Sequence, residues 1–177
     1  LMSSFKNAFE QNEIKISQIL LTLDDTEQRR RSINARRTID TLLKLGIVPV
    51  VNENDTIATT EIRYGDNDRL ASRVAQISSS DCLILLSNIN GLYSADPTNG
   101  EDIKLIPTVN EIDQDIEKMI GESISEYGKG GMKTKIQAAK TAMLSGCHLA
   151  ITNGSIMKPI RSLFEGRPCT WFEPNKS

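Results

Sequence analysis

The chain has 177 residues, a formal charge of −2 at pH 7 and an isoelectric point near 5.5. Its length suits one domain with a sizeable core, and its weak negative charge argues against a nucleic-acid-binding face or a basic membrane patch. The sequence shows no apolar run of membrane-spanning length and no signal-peptide pattern at its start.

The first third of the chain is predicted to alternate helices and strands. The spacing of apolar residues predicts a helix over 1–11, a strand over 14–23, a helix over 27–45 and a strand over 47–51. Asp24, Asp25 and Thr26 are predicted to cap the second helix, and Gly46 to end it.

The same alternation continues to the end of the chain. Segment 56–64 is predicted to be a hairpin or flap over a pocket. The remaining elements are predicted as helices over 68–78, 111–120, 132–144 and 156–164, strands over 82–86, 148–152 and 169–172, a loop over 87–96, and an irregular glycine-rich segment over 121–131. Strands that alternate with helices predict the α/β class, with a mainly parallel sheet covered by helices on both faces.

Two polar clusters stand where these elements meet. The sequence NEND (52–55) follows the strand over 47–51, and GDND (65–68) opens the next helix. Each cluster alone is typical of a turn or a helix cap. Because ligands bind at the carboxyl ends of parallel strands, the two together favour a polar pocket for a small ligand that has an amino group and a carboxylate.

A third feature is the sequence GKGGMKTK over 128–135. Glycines just before a helix let backbone N–H groups approach an anion, and the lysines add positive charge. The segment is not a Walker A loop, because GxxxxGK[ST] is absent. The alternative interpretation is a flexible linker with solvated lysines.

Nucleophilic catalysis that depends on histidine is not indicated. The only histidine, His148, begins an apolar strand and is predicted to be structural. The cysteines, Cys82, Cys147 and Cys169, are odd in number and lack CxxC spacing, so we expect buried, reduced thiols of a cytoplasmic protein. Phosphoryl transfer to a carboxylate suits a chain so poor in general bases, because a glutamate side chain, with a pKa of about 4.3, is already ionised at neutral pH.

The chain resembles the amino acid kinase family over nearly its whole length. The resemblance rests on four segments in the family's order and spacing, VPVVNENDTIATTEI, YGDNDRLASRVA, LILLSNINGLYSADP and GKGGMKTKIQAA. The set NEND, GDND and GGMxTK is specific to the branch that phosphorylates the γ-carboxylate of L-glutamate, whereas the third segment is shared more loosely with aspartate and acetylglutamate kinases. The resemblance implies a three-layer αβα sandwich around a mainly parallel sheet. It also implies an ATP- and Mg²⁺-dependent transferase that makes γ-glutamyl phosphate, the first step of proline biosynthesis.

Site residues follow from the same resemblance. It implies that the amino and carboxylate ends of glutamate are held by Asn52, Asp55 and Asn67. It implies that Asp68 is a central aspartate, which orients two lysines beside the transferred phosphoryl group, and that Lys135 is the second of these lysines.

The nucleotide site is implied in the same way. Residues that would border the nucleotide are Ser87, Asn88, Gly130, Gly131, Met132 and Lys135. No residue of the chain is predicted as a metal ligand.

The sequence departs from the family pattern in four respects. The family's N-terminal strand, with its first catalytic lysine and its phosphate-cradling loop, is absent, as is the Ser-Gly segment that touches glutamate. We therefore expect residues 1–177 to be an amino acid kinase domain truncated at its N-terminus, with a rate lowered by orders of magnitude, since each electrostatic donor is typically worth ~10²–10³. Asn88 stands where the family usually has Asp, and Lys129 replaces a small Thr. The small RNA-binding-like domain that many members carry at the C-terminus is also absent.

Two other functions stay open at this point. One is a kinase for another amino acid, such as aspartate, and the other is a non-catalytic domain that binds glutamate or a nucleotide. The resemblance further implies a homo-oligomer, a dimer or tetramer, and feedback inhibition by proline. No nucleic-acid or membrane partner is expected, because the chain has a weak negative charge.

Overall fold

Helices and strands alternate along the residues that the computed structural model describes, which are 2–54, 66–95, 103–121 and 126–174. The contacts between Cα atoms divide the chain into two units, Leu1–Ile62 and Arg63–Ser177, and each is described by itself. Each unit combines helices with parallel strand pairs, as the predicted α/β class requires. In the described part of the chain, no helix combines the length and the apolar character that crossing a bilayer would need.

The first unit is built around one parallel strand pair. Its elements in chain order are α1 (Met2–Glu10), β1 (Lys15–Leu21), α2 (Leu23–Glu27), α3 (Arg29–Lys44) and β2 (Ile47–Glu53). The strands β1 and β2 pair in parallel over their whole lengths, so the chain must cross over between them, and α2 and α3 form that crossover. Ala35 and Ile39 of α3 and Leu21 of β1 are buried.

The crossover begins earlier than the sequence predicted. Thr22, not the segment 24–26, is the N-cap: its Oγ1 accepts a hydrogen bond from Asp25 N at 3.2 Å, and the Asp25 carboxylate accepts one from Thr22 N at 2.8 Å. This reciprocal capping box starts a helix at Leu23. The bond from Thr22 N also lowers the pKa of Asp25. The single helix predicted over 27–45 is wrong, since Gln28 has an extended backbone and separates α2 from α3.

The second unit contains a four-stranded sheet. Its elements in chain order are α4 (Asp66–Ile77), β3 (Cys82–Ser87), β4 (Thr108–Val109), α5 (Gln114–Gly121), α6 (Glu126–Leu144), β5 (His148–Asn153), α7 (Pro159–Phe164) and β6 (Cys169–Phe172). The strand order is β3-β5-β6-β4, with β5 antiparallel to β6 and the other two pairs parallel.

The core of this unit lies between α6 and β5. Leu149, Ala150 and Ile151 of β5 have no exposed surface, which fits a strand that is covered on both faces. On α6, Ala139 and Ala142 are fully buried. Their small side chains allow the helix to approach the sheet closely.

One buried threonine connects three segments of the second unit. The side chain of Thr170 in β6 is fully buried, its Oγ1 donates to Ile106 O at 2.7 Å, and it accepts from Leu92 N at 2.8 Å. A Cβ atom on Gly91 would lie 2.3 Å from Thr170 Oγ1. Only glycine fits at position 91, because this close approach leaves no room for a side chain.

Helix starts in the second unit differ from the sequence prediction. The helix α4 begins at Asp66 instead of position 68, and α7 begins at Pro159, a favoured first helical residue, instead of position 156. The helix α6 begins at Glu126, so the glycines of 128–131 are helical instead of irregular. Each interior glycine costs about 1 kcal/mol relative to alanine, and the packing of the rest of α6 on the core offsets this. The two-residue strand β4 was not predicted.

The predicted burial of the cysteines holds for only one of the three. Cys147 is buried, Cys169 is half-buried and Cys82, at the start of β3, is exposed. All three are free thiols. Burial, with smaller contributions from Cys82 and Asp81, raises the pKa of Cys147 to about 11.

Replacing Thr170 with valine tests the connection that this residue makes. Thr170→Val leaves the Ile106 carbonyl and the Leu92 amide without their buried partner, so we expect the free energy of unfolding to fall by about 2–5 kcal/mol in urea titrations. The matched control is Thr141→Val on α6, because this exposed hydroxyl bonds only Gln137 O. The control should change stability by less than about 0.5 kcal/mol. A loss below about 1 kcal/mol for Thr170→Val would contradict the role of this side chain.

The cysteines differ in how fast they should react with iodoacetamide at pH 8. Only the thiolate reacts, and the raised pKa and burial of Cys147 leave it almost wholly protonated and shielded. We expect the exposed Cys82 to be alkylated first and Cys147 last, as read by peptide mass spectrometry over time. The unfolded chain in guanidinium is the control, and there the order should disappear. Equal rates for Cys82 and Cys147 in the folded chain would refute this order.

Candidate active site

The second unit brings two residues of the predicted site into direct contact. Lys135 Nζ lies 2.8 Å from Asp68 Oδ2, and the two side chains are only 15% and 18% exposed. Asp68 is in the first turn of α4 and Lys135 is on α6. The ion pair therefore joins two helices that are far apart in sequence.

Thr134 makes a second contact with the same carboxylate. Its Oγ1 lies 3.0 Å from Asp68 Oδ2, and also 2.9 Å from Gly131 O on the preceding turn of α6. Thr134 was not predicted as a site residue. Its position directly before Lys135 was the one indication in the sequence, because consecutive residues of a helix can both reach the same carboxylate.

Short connections between helices and strands explain why Asp68 and Lys135 lie at the same height along the sheet, near the carboxyl ends of β3 and β5. Four residues separate α4 from β3, and three separate α6 from β5, so each helix must run back along the strand that follows it. Asp68 and Lys135 each precede the last residue of their helix, Ile77 or Leu144, by nine positions, which is about 13 Å at the rise of an α-helix. Because β3 and β5 are parallel and in register, both side chains are displaced toward the carboxyl ends of these strands.

Polar groups also lie at those carboxyl ends. Ser87 is the last residue of β3 and pairs in register with Asn153 of β5. Ser87 O accepts from Gly154 N at 2.7 Å, and Ser87 Oγ donates to Asn88 Oδ1 at 3.3 Å. A Cβ atom on Gly154 would lie 2.8 Å from Leu86 Cβ, so the chain passes closely over the end of β3. Ser87 and Asn88 were predicted here from the resemblance, whereas Asn153 and Gly154 were not.

The segment that was predicted to cradle an anion is helical in the structure. Gly130, Gly131 and Met132 lie within α6, three to five residues before Lys135, and Met132 packs against the hydrophobic core. The prediction that these glycines form a loop ahead of the helix is therefore wrong. A glycine inside a helix still leaves open surface, and a Cβ atom on Gly131 would contact nothing within 4 Å.

The residues predicted to hold glutamate are divided between the two units. Asn52 lies near the end of β2, where its Nδ2 donates to Glu53 O at 3.3 Å. The strand β2 runs on to Glu53, so Asn52 belongs to the strand and not to the loop that was predicted after it. Asn67 is exposed on α4 beside Asp68. Asp55 and the predicted flap over 56–64 lie outside the described residues.

The single histidine of the sequence lies in the sheet of the second unit, beside a cysteine. His148 begins β5 and pairs in register with Cys82. No group of three or more His, Cys, Asp or Glu side chains among the described residues is arranged to hold a metal ion. Among the described residues, the Asp68 carboxylate contacts the ammonium group of Lys135 and the hydroxyl group of Thr134.

This arrangement suits a negatively charged ligand. A lysine ammonium has three N–H donors, and within the described ranges the contact of Lys135 with Asp68 uses one of them, which leaves two that could bind an anion. The contact with Asp68 also fixes the position of the ammonium group. Such a fixed cation is what a phosphoryl-transfer site requires, because catalysis there consists mostly of positioning and charge stabilisation.

Two solved structures of kinases have a fold similar to that of this chain. The chain superposes on the UMP kinase of Ureaplasma parvum with a TM-score of 0.64 and 12% identity, covering 96% of this chain and 65% of that one. It superposes on an isopentenyl phosphate kinase of T. acidophilum with a TM-score of 0.59 and 14% identity, covering 94% and 63%. At this low identity the likeness shows the fold alone, and it confirms the predicted fold class.

Curated relatives are much more similar in sequence. A glutamate 5-kinase of Pelagibacter ubique is 60% identical over 177 residues, which is 100% of this chain and 48% of the relative. A glutamate 5-kinase of Paramagnetospirillum magneticum is 54% identical over 175 residues, which is 99% of this chain and 47% of the relative. The chain thus spans about half the length of the curated relatives it matches. The model of the amino acid kinase family matches residues 1–153, and with most of its length matched, the chain belongs to the amino acid kinase family.

Proposed function

We propose that the chain carries catalytic residues of an ATP-dependent glutamate 5-kinase. This enzyme transfers the γ-phosphoryl group of ATP to the γ-carboxylate of L-glutamate. The observation that carries the proposal is the contact of Lys135 with Asp68, in a chain that is 60% identical to a glutamate 5-kinase. The product is γ-glutamyl phosphate, from which proline biosynthesis starts.

The proposed reaction needs no general base. An oxygen of the ionised γ-carboxylate attacks the γ-phosphorus, a new O–P bond forms, and the bond from phosphorus to the bridging oxygen of ADP breaks. The electron pair of that bond leaves with ADP, and no proton has to be removed from the nucleophile. This explains how a chain with a single histidine, placed at the start of β5, can support the chemistry.

Each residue of the candidate site has a proposed role in this reaction. The ammonium group of Lys135 stabilises the negative charge on the transferred phosphoryl group, and Asp68 holds that ammonium group in place. Glutamate is held by Asn52, Asp55 and Asn67. The nucleotide is bordered by Ser87, Asn88, Gly130, Gly131 and Met132, together with Lys135.

Magnesium is proposed to arrive with the nucleotide, as MgATP. Mg²⁺ is commonly held by substrate phosphates and one or two carboxylates instead of a cage made only of protein groups. The donor set fits this, because Oδ2 of Asp68 already accepts from Lys135 and Thr134, and Asn88, which follows β3, is a neutral amide. Bound in this way, Mg²⁺ would neutralise part of the phosphate charge.

Assembly, regulation and location are proposed from the family likeness. We propose a homo-oligomer, either a dimer or a tetramer, and feedback inhibition by proline through the segment 56–64. A cytoplasmic location is supported by the three free thiols. A rate that does not respond to proline in the active enzyme would count against the proposed regulation.

A hydroxylamine trap tests the reaction. The chain is incubated with L-glutamate, MgATP and hydroxylamine, which converts γ-glutamyl phosphate into γ-glutamyl hydroxamate, and this product is measured as its coloured iron(III) complex. We expect hydroxamate that depends on both glutamate and ATP, either from the chain itself or from a chimera that adds the unmatched parts of the Pelagibacter ubique relative. Aspartate and N-acetylglutamate serve as control substrates and should give much less product. If neither protein forms hydroxamate while both still bind glutamate, the chain is a non-catalytic binding domain and the proposal is wrong.

Replacing Asp68 with asparagine separates catalysis from binding. In Asp68→Asn the neutral amide no longer anchors the Lys135 ammonium group, so we expect turnover to fall by about 10²–10³ with folding intact. The matched control is Asp115→Asn, which removes the same charge from an exposed ion pair with Lys118 on α5. Hydroxamate formation measures the rate and circular dichroism the folding. An unchanged rate in Asp68→Asn would exclude this carboxylate from the mechanism.

A further inference from the structure

We propose that Thr134 is a positioning residue, whose hydroxyl group fixes the Asp68 carboxylate so that Lys135 keeps its free N–H donors directed at the phosphoryl group. This inference rests on the proposed function. It adds a residue to which the resemblance gave no role, and it comes from the contact of Thr134 Oγ1 with Asp68 Oδ2.

The Thr134 hydroxyl group has two possible acceptors. Thr134 Oγ1 lies within hydrogen-bond distance of two acceptors, Gly131 O at 2.9 Å and Asp68 Oδ2 at 3.0 Å. A hydroxyl has one proton to donate, so the two acceptors compete for it. The conformation of the hydroxyl therefore decides whether α6 bonds to itself or to α4.

The charge of the carboxylate decides this competition. Hydrogen bonds to an ionised acceptor are roughly twice as strong as those between neutral groups. A hydroxyl turned toward Gly131 O would also present its lone pairs to the negative Oδ2 atom. The proton of Thr134 is therefore donated to Asp68, at a site where both charged side chains are less than one-fifth exposed.

Two donors on one oxygen then define the orientation of the carboxylate. Lys135 Nζ and Thr134 Oγ1 both contact Oδ2, and they come from consecutive residues of α6. A single contact from the flexible lysine side chain would let the carboxylate rotate and the ammonium group follow it. A β-branched threonine on a helix has few rotamers, so it adds a rigid second point of contact.

The simpler alternative is a threonine that bonds only its own helix. Thr141 provides the comparison within α6, because its Oγ1 contacts Gln137 O at 3.1 Å and is exposed. Ser145 does the same with Ala142 O. Thr134 differs from both in having the carboxylate of another helix as a second acceptor.

Substitutions at position 134 test the proposal through the rate. In Thr134→Val the hydroxyl is lost and the shape is kept, so we expect kcat for hydroxamate formation to fall roughly 10- to 100-fold. The KM for glutamate should stay unchanged. Thr134→Ser retains the donor and should recover most of the rate, while Thr141→Val should match the unsubstituted protein. The proposal is overturned by an unchanged kcat in Thr134→Val, or by a serine variant as slow as the valine variant.

A double-mutant cycle tests the same contact without any need for activity. Urea unfolding of Asp68→Asn, Lys135→Met and the double variant gives the coupling free energy of the ion pair, and the cycle is then repeated with Thr134→Val in every protein. We expect the coupling to shrink when the hydroxyl is absent. Thr134→Ala is a second background for the cycle in case the valine variant does not fold.

The two readouts separate this proposal from the proposed function. If the unsubstituted protein and its chimera form no hydroxamate, the proposed function fails, and Thr134 is then judged by the cycle alone. A coupling that is the same with and without the hydroxyl would show that Thr134 does not fix the carboxylate, whatever the activity. A reduced coupling together with an unchanged kcat would show a purely structural contact and would also overturn the proposal.

Discussion

The contact of Asp68 with α6 is the interaction on which the candidate site depends. The carboxylate on α4 accepts from two consecutive residues of α6, and each helix is tied by a connection of three or four residues to the strand that follows it. The contact therefore also helps to fix the position of the two helices relative to the carboxyl ends of β3 and β5, where Ser87 and Asn153 pair in register. A shift of either helix by one turn, about 5.4 Å, would separate the carboxylate from both donors.

Stability alone does not account for this ion pair. Removing a lysine and a carboxylate from water carries a desolvation penalty that can equal or exceed their mutual attraction, so a largely buried pair is weak evidence of a stabilising role. Ion pairs on the surface of the chain, such as Arg36 with Asp40, are much more exposed and contribute little. A pair of charges that is shielded from water but adds little stability is the expected arrangement where charges must be held in place for a ligand.

Strands that are apolar runs were predicted accurately from the sequence, whereas a very short strand and a glycine-rich helix start were not. The strand over 169–172 was predicted to the residue and β3 and β5 to within one, because each is an apolar run of ordinary length with polar or turn-forming neighbours. The two-residue β4 is too short to show any period. The start of α6 was placed six residues late, since glycine lowers local helix propensity while the decisive packing comes from the rest of the helix. Asp68 and Lys135 were named from the resemblance, whereas Thr134 was identified from its contact with Asp68 Oδ2, because its position next to Lys135 does not by itself show that its side chain reaches the carboxylate.

The order of the strands in the second sheet has a consequence for how the chain is made. The last strand in sequence, β6, lies inside the sheet between β5 and β4, and Thr170 within it bonds residues that precede it by 64 and 78 positions. On a ribosome, which releases the chain from its N-terminal end, the edge of β5 stays open until residues 169–172 have emerged, and an open apolar edge invites aggregation. The strands of the first unit, by contrast, are both complete by residue 53. The nascent chain thus acquires the pair of β1 and β2 early and depends on residues 169–172 to close the second sheet.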